Sequence, residues 1–179
     1  MAVNLKDFEI EFVKFKEGVH ELEYKVKDNF FQQFENSSLE SGYFNATVIF
    51  EKKVHSLQFD IKLMGNVELS CDRCLTKISY PIETEFKLHV KITEHIGEDE
   101  EDLTYILPSE HSFNIAFYIY EMINLALPMR KTCEDIGEKC DEAVIENLHK
   151  IAVDKEVNED SKENNPEWDK LKDILDNLK

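Results

Sequence analysis

From residue 57 to residue 71 the chain keeps one parity. Leu57, Phe59, Ile61, Leu63, Val67, Leu69 and Cys71 occupy odd positions, with Gln58, Asp60, Lys62, Glu68 and Ser70 between them. Successive side chains of a strand point to opposite faces, so this pattern specifies a strand with one buried and one wet face. It also fixes register, because a slip of one residue would turn every apolar side chain into water. Carried through Gly65-Asn66, the parity makes Cys71 the last inward residue, at the lip of a core rather than in a loop. Gly65 is expected to mark a bulge or bend, since glycine weakens a strand interior and such breaks occur at barrel corners.

Cys71 opens the stretch Cys71-Asp72-Arg73-Cys74, and the remaining two cysteines follow as Cys133 and Cys140. A C-x2-C turn lets two sulfurs face one centre, and four thiolates in a tetrahedron close the shell of one structural Zn²⁺ ion. The C-x6-C spacing of the second pair is looser. The alternative is that all four are small core residues. Beyond Cys74, Ile78 and Tyr80 lead to Pro81, and Phe86, Leu88, Val90 and Ile92 alternate with Lys87, His89 and Lys91. Strands therefore enter and leave the first pair, the context of a zinc knuckle on a hairpin. A redox C-x-x-C would sit at a helix N-terminus, where the dipole lowers the thiol pKa.

Upstream, Phe8, Ile10 and Phe12 alternate with Glu9 and Glu11, and Leu22, Tyr24 and Val26 repeat the pattern after Glu17-Gly18. Phe30, Phe31 and Phe34 break it, which predicts a short helical turn or irregular cover over the sheet. A strand resumes over residues 43–50, with Ala46, Val48 and Phe50 on one face. Residues 94–102 hold six acidic side chains and one apolar one, Ile96, and are expected to form a solvated loop. Asn114 is a good N-cap for a helix over residues 115–127, apolar nearly all round and so expected to be buried on most sides, ended by Pro128. Residues 141–151 predict a surface helix with Val144, Leu148 and Ile151 on one side. Residues 154–165 have the composition of a flexible acidic linker. Asn165-Pro166 then starts a last helix with Trp168, Leu171, Ile174, Leu175 and Leu178 along its apolar stripe, suited to docking on its own domain or on a partner.

The expected architecture is α+β: an antiparallel, barrel-like sheet with a buried helix in a domain of residues 1–153, the linker, and a C-terminal amphipathic helix over residues 166–179. The 179 residues and 42% hydrophobic content suffice for one core. The formal charge of −17 argues against binding a phosphate backbone through a broad basic face and favours a basic protein partner, or plain solubility. Residues 1–7 lack the apolar core of a signal peptide, and residues 115–127 are too short to span a bilayer. A cytoplasmic protein with reduced cysteines and no membrane segment is expected.

The only two arginines among 21 basic residues, Arg73 and Arg130, both adjoin the cysteine pairs. Their planar forks suit the sulfurs, or a phosphate or carboxylate brought to them, and chance adjacency is the alternative. Catalysis finds little support. The six histidines are scattered without metal or nucleophile spacing, and five glycines form no phosphate loop. A thiol or metal enzyme is the least favoured class, and no small-molecule substrate is expected.

The stretch Glu68-Leu69-Ser70-Cys71-Asp72-Arg73-Cys74-Leu75, the stretch Glu121-Met122-Ile123-Asn124-Leu125-Ala126-Leu127-Pro128 with Cys133 after it, and Asn165-Pro166 with Leu171 to Leu175 resemble the YceD family. These are the large ribosomal RNA subunit accumulation proteins. The resemblance implies a non-catalytic factor that supports accumulation of large-subunit ribosomal RNA and ribosome assembly. Its expected partners are that RNA or its precursor, a basic ribosomal protein, or both. Arg73, Arg130, Trp168, Leu171 and Leu175 are the candidate binding residues, and Cys71, Cys74, Cys133 and Cys140 the candidate metal ligands. A zinc-stabilised protein-interaction adaptor is the competing reading.

Overall fold

The computed structural model describes residues 5–158, apart from 36, 38, 96 and 98–101. In chain order the strands are β1 (Glu9–Ile10), β2 (Gly18–Val26), β3 (Gly42–Lys53), β4 (Ser56–Ser70), β5 (Lys77–Ile92), β6 (Leu103–Ile106) and β7 (Phe113–Asn114). The helices are α1 (Asp28–Phe31), α2 (Ala116–Leu125) and α3 (Glu142–Asn158). The class is α+β. Five strands form one sheet in the order β2-β3-β4-β5-β6, antiparallel except for the β5–β6 pair, while β1 and β7 pair separately.

The sheet is open, so the expected barrel does not form: β2 and β6 end the strand order and do not meet. The reason lies at Gly65, which is neither a bulge nor a corner. The β3–β4 pairing runs unbroken from Gly42↔Val67 to Lys53↔Ser56, and β5 pairs through the same point at Gly65↔Ile82. Glycine is needed there for close approach, because a Cβ would stand 2.6 Å from the Phe44 Cα. With no bulge to sharpen its twist, and with β6 only four residues long, the sheet does not curl far enough to close.

Parity carries through the whole of β4. Phe59, Ile61, Leu63 and Val67 are completely buried, and Cys71 follows them on the same side. Phe44, Ala46, Val48 and Phe50 of β3 and Ile78, Ile82, Leu88 and Val90 of β5 extend this inner face. Aromatic rings cover it: Phe8 stacks on Tyr24, Phe31 meets Phe44 edge-on, and Phe113 stacks on Phe59. Of these, Phe31, Phe44 and Phe59 are fully buried, each contributing roughly 1.5–3 kcal/mol relative to exposure. Pro81 is tolerated inside β5 because β6 pairs only with residues from His89 to Ile92, which leaves Pro81 on a sheet edge.

The helix before Pro128 is buried on one side only, not on most. Ala116, Ile119, Met122 and Ile123 are buried, whereas Phe117 and Leu125 are exposed. It packs against β5, and Phe34 stacks on its Tyr120. Asn114 caps it from one residue further out than expected: its Oδ1 accepts the Ala116 N–H at 2.8 Å.

The chain divides into two units, one ending at Glu138 and one starting at Lys139. In the second, Asp141 caps α3 by accepting the Ala143 N–H at 2.9 Å. The helix extends to Asn158, through residues 154–158 that were expected to belong to the linker, since that stretch contains neither glycine nor proline to stop it. Trp168, Leu171 and Leu175 lie outside the described residues, as does most of the acidic stretch 94–102. Among the described residues no helix is long and apolar enough to cross a membrane.

Candidate metal centre

β4 delivers Cys71 to the end of the inner face, and the chain turns at once. The Cys71 N–H donates to the Thr76 carbonyl at 2.9 Å and the Leu75 N–H to the Cys71 carbonyl at 2.9 Å, which closes a tight loop before β5. Leu75 takes φ +62 to complete the turn, a left-handed conformation rare for a leucine, and its side chain is 75% exposed. Inside the loop the Arg73 N–H points at the Cys71 Sγ, 3.5 Å away.

The chain returns at residues 131–136 and docks on this loop through its backbone. Asp72 N–H donates to the Lys131 carbonyl at 2.8 Å, and Lys131 N–H donates to Asp72 Oδ2 at 2.8 Å. Immediately after, Thr132 and Asp135 form a reciprocal capping box around a 3-10 turn, Cys133–Ile136. Asp135 Oδ2 accepts both the Thr132 N–H and the Thr132 hydroxyl, at 2.8 and 2.7 Å. Gly137 ends the turn with φ +78, open to glycine without penalty, and the Glu138 N–H then reaches back to the Cys133 carbonyl at 2.8 Å. Cys133 is thereby fixed at the first position of a capped turn.

The outcome is a cluster of sulfurs. Cys74 Sγ and Cys133 Sγ lie 3.6 Å apart, and the four Sγ atoms of Cys71, Cys74, Cys133 and Cys140 all lie within 4.8 Å of one another. Thiolates around a Zn²⁺ ion at about 2.3 Å would stand roughly 3.8 Å apart along the edges of a tetrahedron. The cluster fits a structural metal. Cys71, Cys74 and Cys133 are buried, so the centre belongs to the core more than to the surface. Burial pushes the Cys71 thiol up, but the backbone N–H groups of Cys74, Arg73 and Cys133 outweigh it and the net pKa is lowered, which favours the thiolate a metal needs.

Both arginines flank the centre, but their guanidinium groups pair with carboxylates. Arg73 Nη1 contacts Glu134 Oε1 at 2.7 Å, and Arg130 Nη2 contacts Asp135 Oδ1 at 3.3 Å. Glu134 and Asp135 belong to the turn that carries Cys133, so both pairs brace that turn. The residues that join the two halves, Asp72, Lys131, Thr132 and Asp135, were not singled out in the sequence. The signal existed for one pair, since Thr132-x-x-Asp135 has capping-box spacing. The Asp72–Lys131 contact spans 59 positions and left no local trace. Hydrogen bonds from Lys131, first of all its backbone N–H, hold the Asp72 carboxyl below the usual range, and those from Thr132 do the same for Asp135.

Fold and site define a sheet-borne cysteine knuckle, in which a C-x2-C hairpin turn is met by Cys133 from a later, separately capped turn. The chain belongs to the family described as large ribosomal RNA subunit accumulation protein YceD, whose profile matches residues 59–175. It is also similar to the uncharacterized protein YlbN of Bacillus subtilis (strain 168), with 31% identity over 87 residues, 49% of each chain. The chain thus matches about half the length of that curated relative. No solved structure matches it.

Proposed function

We propose that this protein is a non-catalytic factor that supports accumulation of large-subunit ribosomal RNA, and with it ribosome assembly, by binding the RNA, a basic ribosomal protein, or both. The observation that carries this reading is the family match over residues 59–175, which takes in most of β4, all of β5 and α2, and every cysteine. The cysteine cluster would hold one Zn²⁺ ion through Cys71, Cys74, Cys133 and Cys140, with a structural role, since four thiolates leave no open position for a substrate. When bound, such an ion supplies a rigid link between the β4–β5 turn and the segment after α2.

The formal charge of −17 supports a basic protein as the electrostatic partner. Arg73 and Arg130 are the proposed local contacts to RNA, each being partly solvent-exposed beside its carboxylate. Trp168, Leu171 and Leu175 are proposed to dock as one apolar stripe on a partner. Action in the cytoplasm follows from this reading.

Depletion of the protein tests it directly. Large-subunit ribosomal RNA and free large subunits should fall relative to the small subunit, with precursors accumulating. Unchanged ribosome profiles on depletion would overturn the reading. The competing adaptor role is favoured by the same cysteine cluster, and predicts zinc-dependent protein capture with no change in ribosomal RNA.

A further inference from the structure

Strand β2 is an edge. Its nine residues pair with β3 over the full length from Gly18↔Lys52 to Val26↔Phe44, and among the described residues no other strand or backbone group bonds to its second side. Every other backbone group of a β-strand wants a partner, and an open edge of this length is a template for one more strand.

Burial across the inner face reports the same gap. On β3, Phe44, Ala46, Val48 and Phe50 are no more than 1% exposed, whereas their cross-strand partners on β2 are half-buried at His20, Leu22 and Tyr24. Phe15 covers His20 and Phe8 covers Tyr24, and Leu22 between them is half-buried although its cross-strand partner Val48 is completely buried. A neighbouring strand would complete that row.

The outer face of β2 states what kind of strand. Glu21 and Glu23 stand there, exposed, with Val19 and Lys25 beyond them. A second copy is disfavoured by this arrangement: antiparallel self-pairing over the full strand centres on Leu22 and sets Glu21 directly against Glu23 of the other copy, twice over. Like charges opposite one another destabilise a pair of strands, and opposite charges stabilise it.

We propose that the β2 edge binds, by strand addition, an extended segment of a basic protein in which lysine or arginine alternates with apolar residues. The basic side chains meet Glu21 and Glu23 on the outer face, and the apolar ones close over Leu22. This deepens the preceding reading, and rests on it only for the identity of the partner as a basic ribosomal protein. The site itself is twofold in character, with main-chain pairing for affinity and the carboxylates for choice of partner.

The probe is a nine-residue capped peptide alternating lysine and valine, matched to the nine residues of β2, titrated into the isotope-labelled full chain. Slowed amide exchange at alternate residues of Gly18–Val26 is the expected result. The double variant E21K/E23K, on an exposed face and so expected to fold with unchanged thermal midpoint, should weaken binding by about tenfold or more. The same peptide with its central residue replaced by proline should bind more weakly and leave β2 largely unprotected.

Protection located elsewhere, equal affinity for the double variant, or equal protection by the proline peptide would each overturn the proposal. So would self-association through β2 that the peptide does not reverse, which would make a second copy the occupant. The two readings fail separately: peptide binding at β2 with normal ribosomes on depletion leaves this site standing without the ribosomal role, and the converse result leaves the role without the site.

Discussion

The Sγ atoms of Cys74 and Cys133 lie 3.6 Å apart although 59 positions separate them in the chain. Cys74 arrives on the β4–β5 turn and Cys133 on a capped 3-10 turn after α2, so their approach measures how well two independent pieces of local structure are aligned. If that alignment serves a metal, protein purified without chelator carries one zinc per chain by native mass spectrometry, and Cys133→Ser or Cys71→Ser loses it. Loss of the metal should cost roughly 3 kcal/mol or more, lowering Tm by about 10 °C. Reduced, carefully handled protein without metal would refute this.

Asp135 and Arg130 form an ion pair but differ in what they hold. Asp135 closes the capping box with Thr132, while Arg130 is a long exposed side chain against one carboxylate oxygen. Asp135→Ala is expected to cost about 1–2 kcal/mol and to weaken metal retention in a chelator competition, since the turn bearing Cys133 loses its cap. Arg130→Ala should cost less than about 0.5 kcal/mol. Equal effects in denaturant melts would show that the ion pair, not the cap, fixes the turn.

Gly65→Ala places a methyl group against the Phe44 backbone in the middle of a two-sided ladder. Backbone cannot move aside as a side-chain tip would. Destabilisation of about 2–3 kcal/mol is expected from urea melts, with no change in metal content.

Leu75→Gly runs the other way. The left-handed turn residue costs a leucine roughly 1 kcal/mol, and its exposed side chain gives little back. The variant should match or exceed the parent in stability. A loss of stability would mean that the Leu75 side chain packs against the fold more tightly than its exposure indicates.

Burial of the Tyr24 side chain raises its phenol pKa above the ordinary value of 10.0. Because the folded state favours the neutral phenol, its contribution is present in full below pH 10 and is lost as pH rises through the higher folded value. Tyr24→Phe should therefore flatten the alkaline limb of the stability profile, measured as Tm against pH from 9 upward. Superimposable limbs for the two proteins would exclude Tyr24 as the source.

What was legible in the residues follows from the range of the interactions involved. The alternation at 57–71 survives in three dimensions because period-two burial is a local signal, and it placed Cys71 correctly on the core side. The grouping of four thiols was suggested by pair spacing and chemistry. The barrel was not legible: Gly65 carries the same letter whether it bends a strand or admits a close neighbour, and only the register on both sides distinguishes the two. The arginines adjoin the cysteine pairs in the sequence, but the Arg73–Glu134 pair depends on a chain reversal across 61 positions that no local pattern encodes.

The unbroken strand between Leu57 and Cys71 has a consequence for how such a chain tolerates length change. Because side-chain direction inverts with each added residue, the thiol at its end is phase-locked to the aromatic row at its start. One residue inserted between Phe59 and Cys71 would leave one of the two facing solvent. Two could restore the phase, at the cost of moving the turn outward by about 7 Å, beyond reach of Cys133. The segment behaves as a ruler whose length and parity are both set, and new sequence is admitted only beyond its ends.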